Sequence, residues 1–171
     1  MCTQYSEVIF QCIAAKNNHE WANLYWREET GRVIINSSYG DWSFSWRHRG
    51  DQSLAAFLYK LDMDYMGGKM LGVNYYVFSR TKTVECIREH ILEERRRAGL
   101  TKDEAKTAWD NFVQLEDGDI SFETWATNED VLGDTFDFHC TEPEPSWFHF
   151  WNKLWLPCIV PELKKLICKE A

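Results

Sequence analysis

The sequence predicts an α+β fold: a small antiparallel sheet of three to four strands in the N-terminal half, helices packed on one face, and an acidic helical C-terminal half. Three observations predict it. Trp42, Phe44 and Trp46 alternate with Ser43, Ser45 and Arg47, the period of two that gives a strand one apolar face. Leu54, Phe57, Leu58, Leu61 and Tyr65 recur at spacings of three and four, the apolar stripe of a helix. Thr101-Lys102-Asp103-Glu104 matches the capping box that opens a helix. With 171 residues and 44% hydrophobic content, one domain with a real core is expected: mainly sheet plus one helix over 1–80, mainly helical over 81–171.

The elements follow in order. Glu7–Ala15 is rich in Val, Ile and Phe and stops at the turn-forming cluster Asn17-Asn18-His19. Leu24–Glu28 alternates and ends at Thr30-Gly31; Arg32–Ser37 is a short strand, and Tyr39-Gly40-Asp41 turns the chain into the aromatic strand. Asp51 or Ser53 is placed to cap the first helix, and Gly67-Gly68 to end or break it. Val73–Phe78 reads as a further strand. Thr81 or Thr83 opens a helix with Val84, Ile87 and Ile91 inward; Arg95-Arg96-Arg97 favour the negative end of its dipole, with Gly99 as C-cap. The helix opened by Thr101 carries Ala105, Ala108, Trp109, Phe112 and Val113 on one side. After the stiff joint Glu142-Pro143-Glu144-Pro145, Ser146 is placed to cap a last helix bearing Trp147, Phe150, Trp151, Leu154 and Trp155, which Pro157 and Pro161 break or restart. That greasy helix is a candidate homodimer interface as well as a candidate core element.

Charge is distributed unevenly. Between Asp103 and Glu144 stand 13 Asp or Glu residues and one basic residue, Lys106, so 42 residues carry a net charge of −12. Residues 1–100 hold 13 Lys and Arg against 12 Asp and Glu. Concentrated like charge costs stability by self-repulsion, so the acidic block is the feature most in need of a functional reason. A chain of net charge −8 is a poor partner for duplex DNA or an anionic membrane surface, and no run of about 18 apolar residues supplies a membrane span. The N-terminus has neither the basic start nor the apolar run of a secretory leader, so a cytoplasmic setting and reduced thiols are expected for the six cysteines.

Catalytic motifs do not emerge. The cysteines show no C-x-x-C or Cys/His zinc spacing, and no nucleophile elbow, P-loop or dinucleotide fingerprint appears. In Glu116–Glu123 a calcium loop fails on register: with Gly118 sixth, the first and third ligand positions fall on Val113 and Leu115. No catalytic residue, metal ligand or cofactor is therefore assigned. A small metal-dependent hydrolase or nuclease built from Asp/Glu and His, with Asp134, Asp137 and His139 the local candidates, is one alternative function. A second is a single-strand nucleic-acid-binding module in which Trp42, Phe44 and Trp46 stack bases beside Arg47, His48 and Arg49; it requires those rings to be exposed, whereas large rings ordinarily pack in cores.

The leading reading concerns the acidic block. Duplex DNA displays one charge per ~1.7 Å of axis, and spaced carboxylates on a folded surface present a similar field to a basic groove. The acids alternate with Trp109, Phe112, Phe122, Trp125, Phe136 and Phe138, whereas disordered acidic tails lack aromatics. The candidate partner-binding residues are Glu116, Asp117, Asp119, Glu123, Glu129, Asp130, Asp134 and Asp137, and the partner they fit is a basic, nucleic-acid-binding protein.

The stretch Val33–Trp46 (VIINSSYGDWSFSW), followed by Phe57-Leu58 and Tyr65–Lys69, resembles small accessory proteins carried by bacteriophages and prophages; the resemblance covers mainly residues 30–72, with a looser echo in Phe150–Leu163. It implies a dispensable phage gene acting in the cytoplasm of the bacterial host. Genes of that kind often encode inhibitors of host defence, of anti-CRISPR or anti-restriction type, many of them acidic. No catalytic residues come with the resemblance.

Overall fold

Period-two patterning forms four strands, Gln11–Asn17 (β1), Glu20–Arg27 (β2), Arg32–Ser37 (β3) and Gly40–Ser45 (β4), each antiparallel to the next in the order β1-β2-β3-β4. The computed structural model describes residues 10–113 and 140–170. β1 runs on through Asn17, so only Asn18-His19 make the first turn, with Asn18 in the left-handed region (φ 55°) that asparagine tolerates. The β2–β3 turn needs Gly31: its φ is 63°, its carbonyl accepts from the Trp46 N–H at 2.9 Å, and a Cβ there would stand 1.9 Å from the Trp46 carbonyl oxygen.

Among the described residues the helices are α1 (Leu54–Tyr59), α2 (Met63–Leu71), α3 (Arg80–Arg96), α4 (Lys102–Val113), α5 (Pro145–Phe150) and α6 (Val160–Glu170), with a π-helical stretch, Trp151–Ile159, joining α5 to α6. Tyr76–Phe78 (β5) and Thr141–Pro143 (β6) form a two-stranded sheet. The α+β class with helices on one face of a small N-terminal sheet is what the structure has. The described residues divide into two compact units, one comprising those up to Tyr76 and from Pro143 onward, the other those between Val77 and Glu142.

In the first unit, Ile13, Ala15, Ala22, Leu24, Trp26, Val33 and Ile35 form the buried face of the sheet, and Trp147, Phe150, Trp151, Leu154 and Trp155 of the C-terminal helix belong to the same core. The aromatic face of that helix is thus occupied inside its own unit. Trp42 meets Trp147 edge-on at 5.0 Å, and Trp46 is 3% exposed against Phe44 and Phe57. This corrects the base-stacking alternative: Trp46 is buried, and Trp42 and Phe44 are partly buried against the core, so the three do not form an open platform.

Several local expectations are corrected by packing. The predicted first helix is two: α1, capped by Ser53, stops at Lys60, and Asp62 caps α2 by accepting from the Tyr65 N–H at 2.7 Å. Gly67-Gly68 lie inside α2 and do not end it. A Cβ on Gly67 would come within 2.2 Å of the Tyr75 ring and 2.6 Å of Trp147 Nε1, so the absent side chain admits two rings. The strand expected over Val73–Phe78 is confined to β5, behind a 3₁₀ turn at Gly72–Asn74. The cap of α3 is Ser79, before either predicted threonine; at its other end Ala98, not Gly99, takes the left-handed position (φ 62°). Glu144, not Ser146, caps α5, accepting from the Trp147 N–H at 2.8 Å with Pro145 at the first helical position.

The helix also passes through Pro157. Proline removes the N–H that an α-helix aims at the residue four before it, here the Lys153 carbonyl, and its ring crowds that carbonyl. The wider π turn spans this point, and Asn17 Nδ2 donates to the Lys153 carbonyl at 3.0 Å. Pro161 is the second residue of α6, which continues directly from the π-helical stretch.

Candidate functional site

The acidic block enters the structure on α4. Its start is the predicted capping box: the Thr101 N–H donates to Glu104 Oε2 at 2.8 Å and the Glu104 N–H to Thr101 Oγ1 at 3.3 Å. The hydrogen bonds from Thr101 hold the Glu104 carboxyl below its ordinary pKa. Ala108 is buried, whereas Asp103, Glu104 and Asp110 are exposed, and Lys106, the block's one cation, pairs with Asp110 at 3.2 Å. The predicted apolar side holds for Ala108 and for Trp109, whose ring lies 5.4 Å from the Arg88 guanidinium of α3.

The block returns on the same helix. The Cys140 N–H donates to Thr83 Oγ1 at 3.1 Å, the Cys140 carbonyl accepts from the Ser79 N–H at 2.9 Å, and Glu142 pairs with Lys82 at 3.5 Å. Both described ends of the acidic stretch are therefore fastened to α3, which buries Thr83, Val84, Ile87 and Ile91. The Thr83 hydroxyl and the backbone N–H of the N-cap Ser79 thus satisfy the two backbone groups of Cys140. At this stem the sulfurs of Cys86 and Cys140 stand 3.0 Å apart; the hydrogen bond with Cys140, then burial, push the Cys86 thiol up to about 11. No sequence spacing signals that pair, because 53 residues separate its members and only the fold of the stem brings them together.

Glu116, Asp117, Asp119, Glu123, Glu129, Asp130, Asp134 and Asp137 lie outside the described residues, as do the hydrolase candidate His139 and the Glu116–Glu123 segment weighed as a calcium loop. Among the described residues no group of three or more His, Cys, Asp or Glu side chains is placed to hold a metal ion, and no helix is long and apolar enough to cross a membrane. The Arg95–Arg97 run has the structural role its position predicts: it closes α3, with Arg97 paired to Glu93 and Glu94.

No curated protein and no solved structure matches this chain. A family model does, over residues 3–165, which takes in the sheet, the acidic block and every described helix except the end of α6. The chain belongs to that phage family, Phage_phiTE_072.

Proposed function

We propose that this phage protein is a non-enzymatic binding protein that inhibits a host defence or nucleic-acid-processing protein, in the manner of anti-CRISPR or anti-restriction inhibitors. Its acidic segment occupies a basic, nucleic-acid-binding site on that protein in the bacterial cytoplasm. The observation that carries this reading is the concentration of charge: −12 over residues 103–144, against near neutrality over residues 1–100. Self-repulsion of that size is offset when a basic partner receives it. The contacts of both described ends of the segment with α3, through Trp109 and Cys140, support it further, since they place the start and the return of the acidic segment on one helix.

The test begins with capture of partners from bacterial lysate on the tagged protein, eluted by a salt gradient and identified by mass spectrometry. A basic nucleic-acid-processing protein released as salt rises is the expected result. Glu116→Lys, Asp119→Lys, Glu123→Lys and Asp130→Lys together should then slow association with it about tenfold or more and flatten its salt dependence. Unchanged association of the quadruple variant would remove the acidic segment from the interface.

A further inference from the structure

The face of the four-stranded sheet opposite the core is composed unlike the rest of the chain. Strand register assembles it in rows: Lys16 opposite Trp21, Ala14 beside Asn23, Asn36 and Asp41, Cys12 beside Tyr25, Ile34 and Ser43, and finally Arg27, Arg32 and Ser45. The alternating burial of these strands turns this face away from the core that the first unit's helices cover. Its single acidic strand residue, Asp41, accepts from Asn36 Nδ2 at 3.0 Å in a row away from the arginines.

At the arginine end the face opens into a groove of about 840 Å³ lined by Phe10, Arg27, Thr30, Arg32, Ser45 and Arg47, with Glu29 the one carboxylate among them. Arg27 and Arg32 are direct cross-strand partners, an arrangement of like charges that destabilises a sheet unless something offsets it. Glu29 neutralises only Arg27, at 3.0 Å; Arg32 and Arg47 are exposed and have no carboxylate partner among the described residues. Two unneutralised guanidiniums and a third beside them, with two hydroxyls in the same groove, make a receptor for phosphate oxygens. Rings accompany them: Phe10, 36% exposed, lines the groove, Tyr25 stands two residues from Arg27, and Trp21, 43% exposed, stands six residues along β2, on the order of 20 Å.

We propose that this face binds single-stranded nucleic acid, with Arg27, Arg32 and Arg47 on the phosphates and Trp21, Tyr25 and Phe10 against the bases. A single strand is the occupant because rings and guanidiniums share one flat, open face: unpaired bases offer π-faces to the rings, whereas a duplex hides them. The inference is independent of the acidic-segment reading, and either one can fail while the other stands.

The test uses the full chain and a fluorescein-labelled oligothymidylate of about 20 nucleotides, longer than a single-sheet site, with an oligouridylate and a duplex of the same length beside it, followed by anisotropy. Expected are binding of the single strands in preference to the duplex and a log-log salt slope near −2, from about 0.7 per neutralised phosphate. Arg32→Gln with Arg47→Gln, both exposed and outside the core, should weaken binding at least tenfold and remove about 1.4 from the slope. Trp21→Ala should weaken it roughly fivefold, and circular dichroism melts confirm that the variants fold. Absence of binding at roughly 100 μM protein, equal affinity for the duplex, or an unchanged affinity in the double arginine variant would each overturn the assignment.

Discussion

Gly67 illustrates how a single hydrogen atom is selected by packing. The Trp147 indole is fully buried and donates Nε1–H to the Met63 carbonyl at 3.3 Å, one turn before Gly67 on the same helix. Tyr75 lies against the other side and donates its hydroxyl proton to Asp64; burial, that hydrogen bond and the charge of Asp64 raise its pKa well above the phenol range. A methyl group at position 67 has nowhere to go except into both rings. Gly67→Ala, which on an open helix surface gains propensity, should here cost about 1–3 kcal/mol by overpacking. Urea unfolding read by tryptophan fluorescence measures it, and Gly68→Ala, where a Cβ meets nothing within 4 Å, is the matched control expected to be neutral or stabilising.

Among the elements, the strands were the most legible. Residues 42–47 alternate apolar and polar side chains with a period of two, and Trp42, Phe44 and Trp46 fall on the core side. The capping box at Thr101 was equally plain, because both partners of a reciprocal bond stand three residues apart. Gly67-Gly68 read as a helix end because the rings that select Gly67, those of Tyr75 and Trp147, stand outside the helix and leave no local signal beside it. The arginine groove was not seen for a related reason: Arg27, Arg32 and Arg47 come from three places in the chain, and only strand register brings them together. Of the acidic candidate site, the charge was legible, while the Ser79, Thr83 and Cys140 stem depends on contacts across more than 50 residues. The cap of α4 also has a pH signature. The carboxyl of Glu104 has a folded pKa below its unfolded value, so its contribution to the helix is present above the unfolded value and is lost as pH falls through the folded one. An NMR titration should show the Thr101 N–H moving with the Glu104 carboxyl in acid, and Glu104→Gln should abolish that movement.

At the scale of the whole molecule, two charge regimes share one chain. The block from Asp103 to Glu144 holds nearly half of the acidic residues, while the sheet offers its guanidiniums on a face away from its core. The two are separately addressable: the Lys substitutions proposed above should leave oligonucleotide affinity intact, and the arginine substitutions should leave capture of the basic host protein intact. A crossed result, in which either set removes both activities, would mean that the surfaces act as one.

The Glu144 N–H donates to the Tyr75 carbonyl at 2.8 Å, so the chain departs from the first unit and rejoins it at almost the same point. Everything between is topologically an insertion. Such a layout lets a genome exchange, lengthen or recharge the inserted cassette while the host scaffold keeps its own core, a useful freedom wherever the opposing target changes quickly. Replacing residues 77–142 by a short Gly-Ser linker should accordingly leave a scaffold that still melts cooperatively, with its buried tryptophans emitting as in the parent; loss of the cooperative transition would show that the cassette is required for folding.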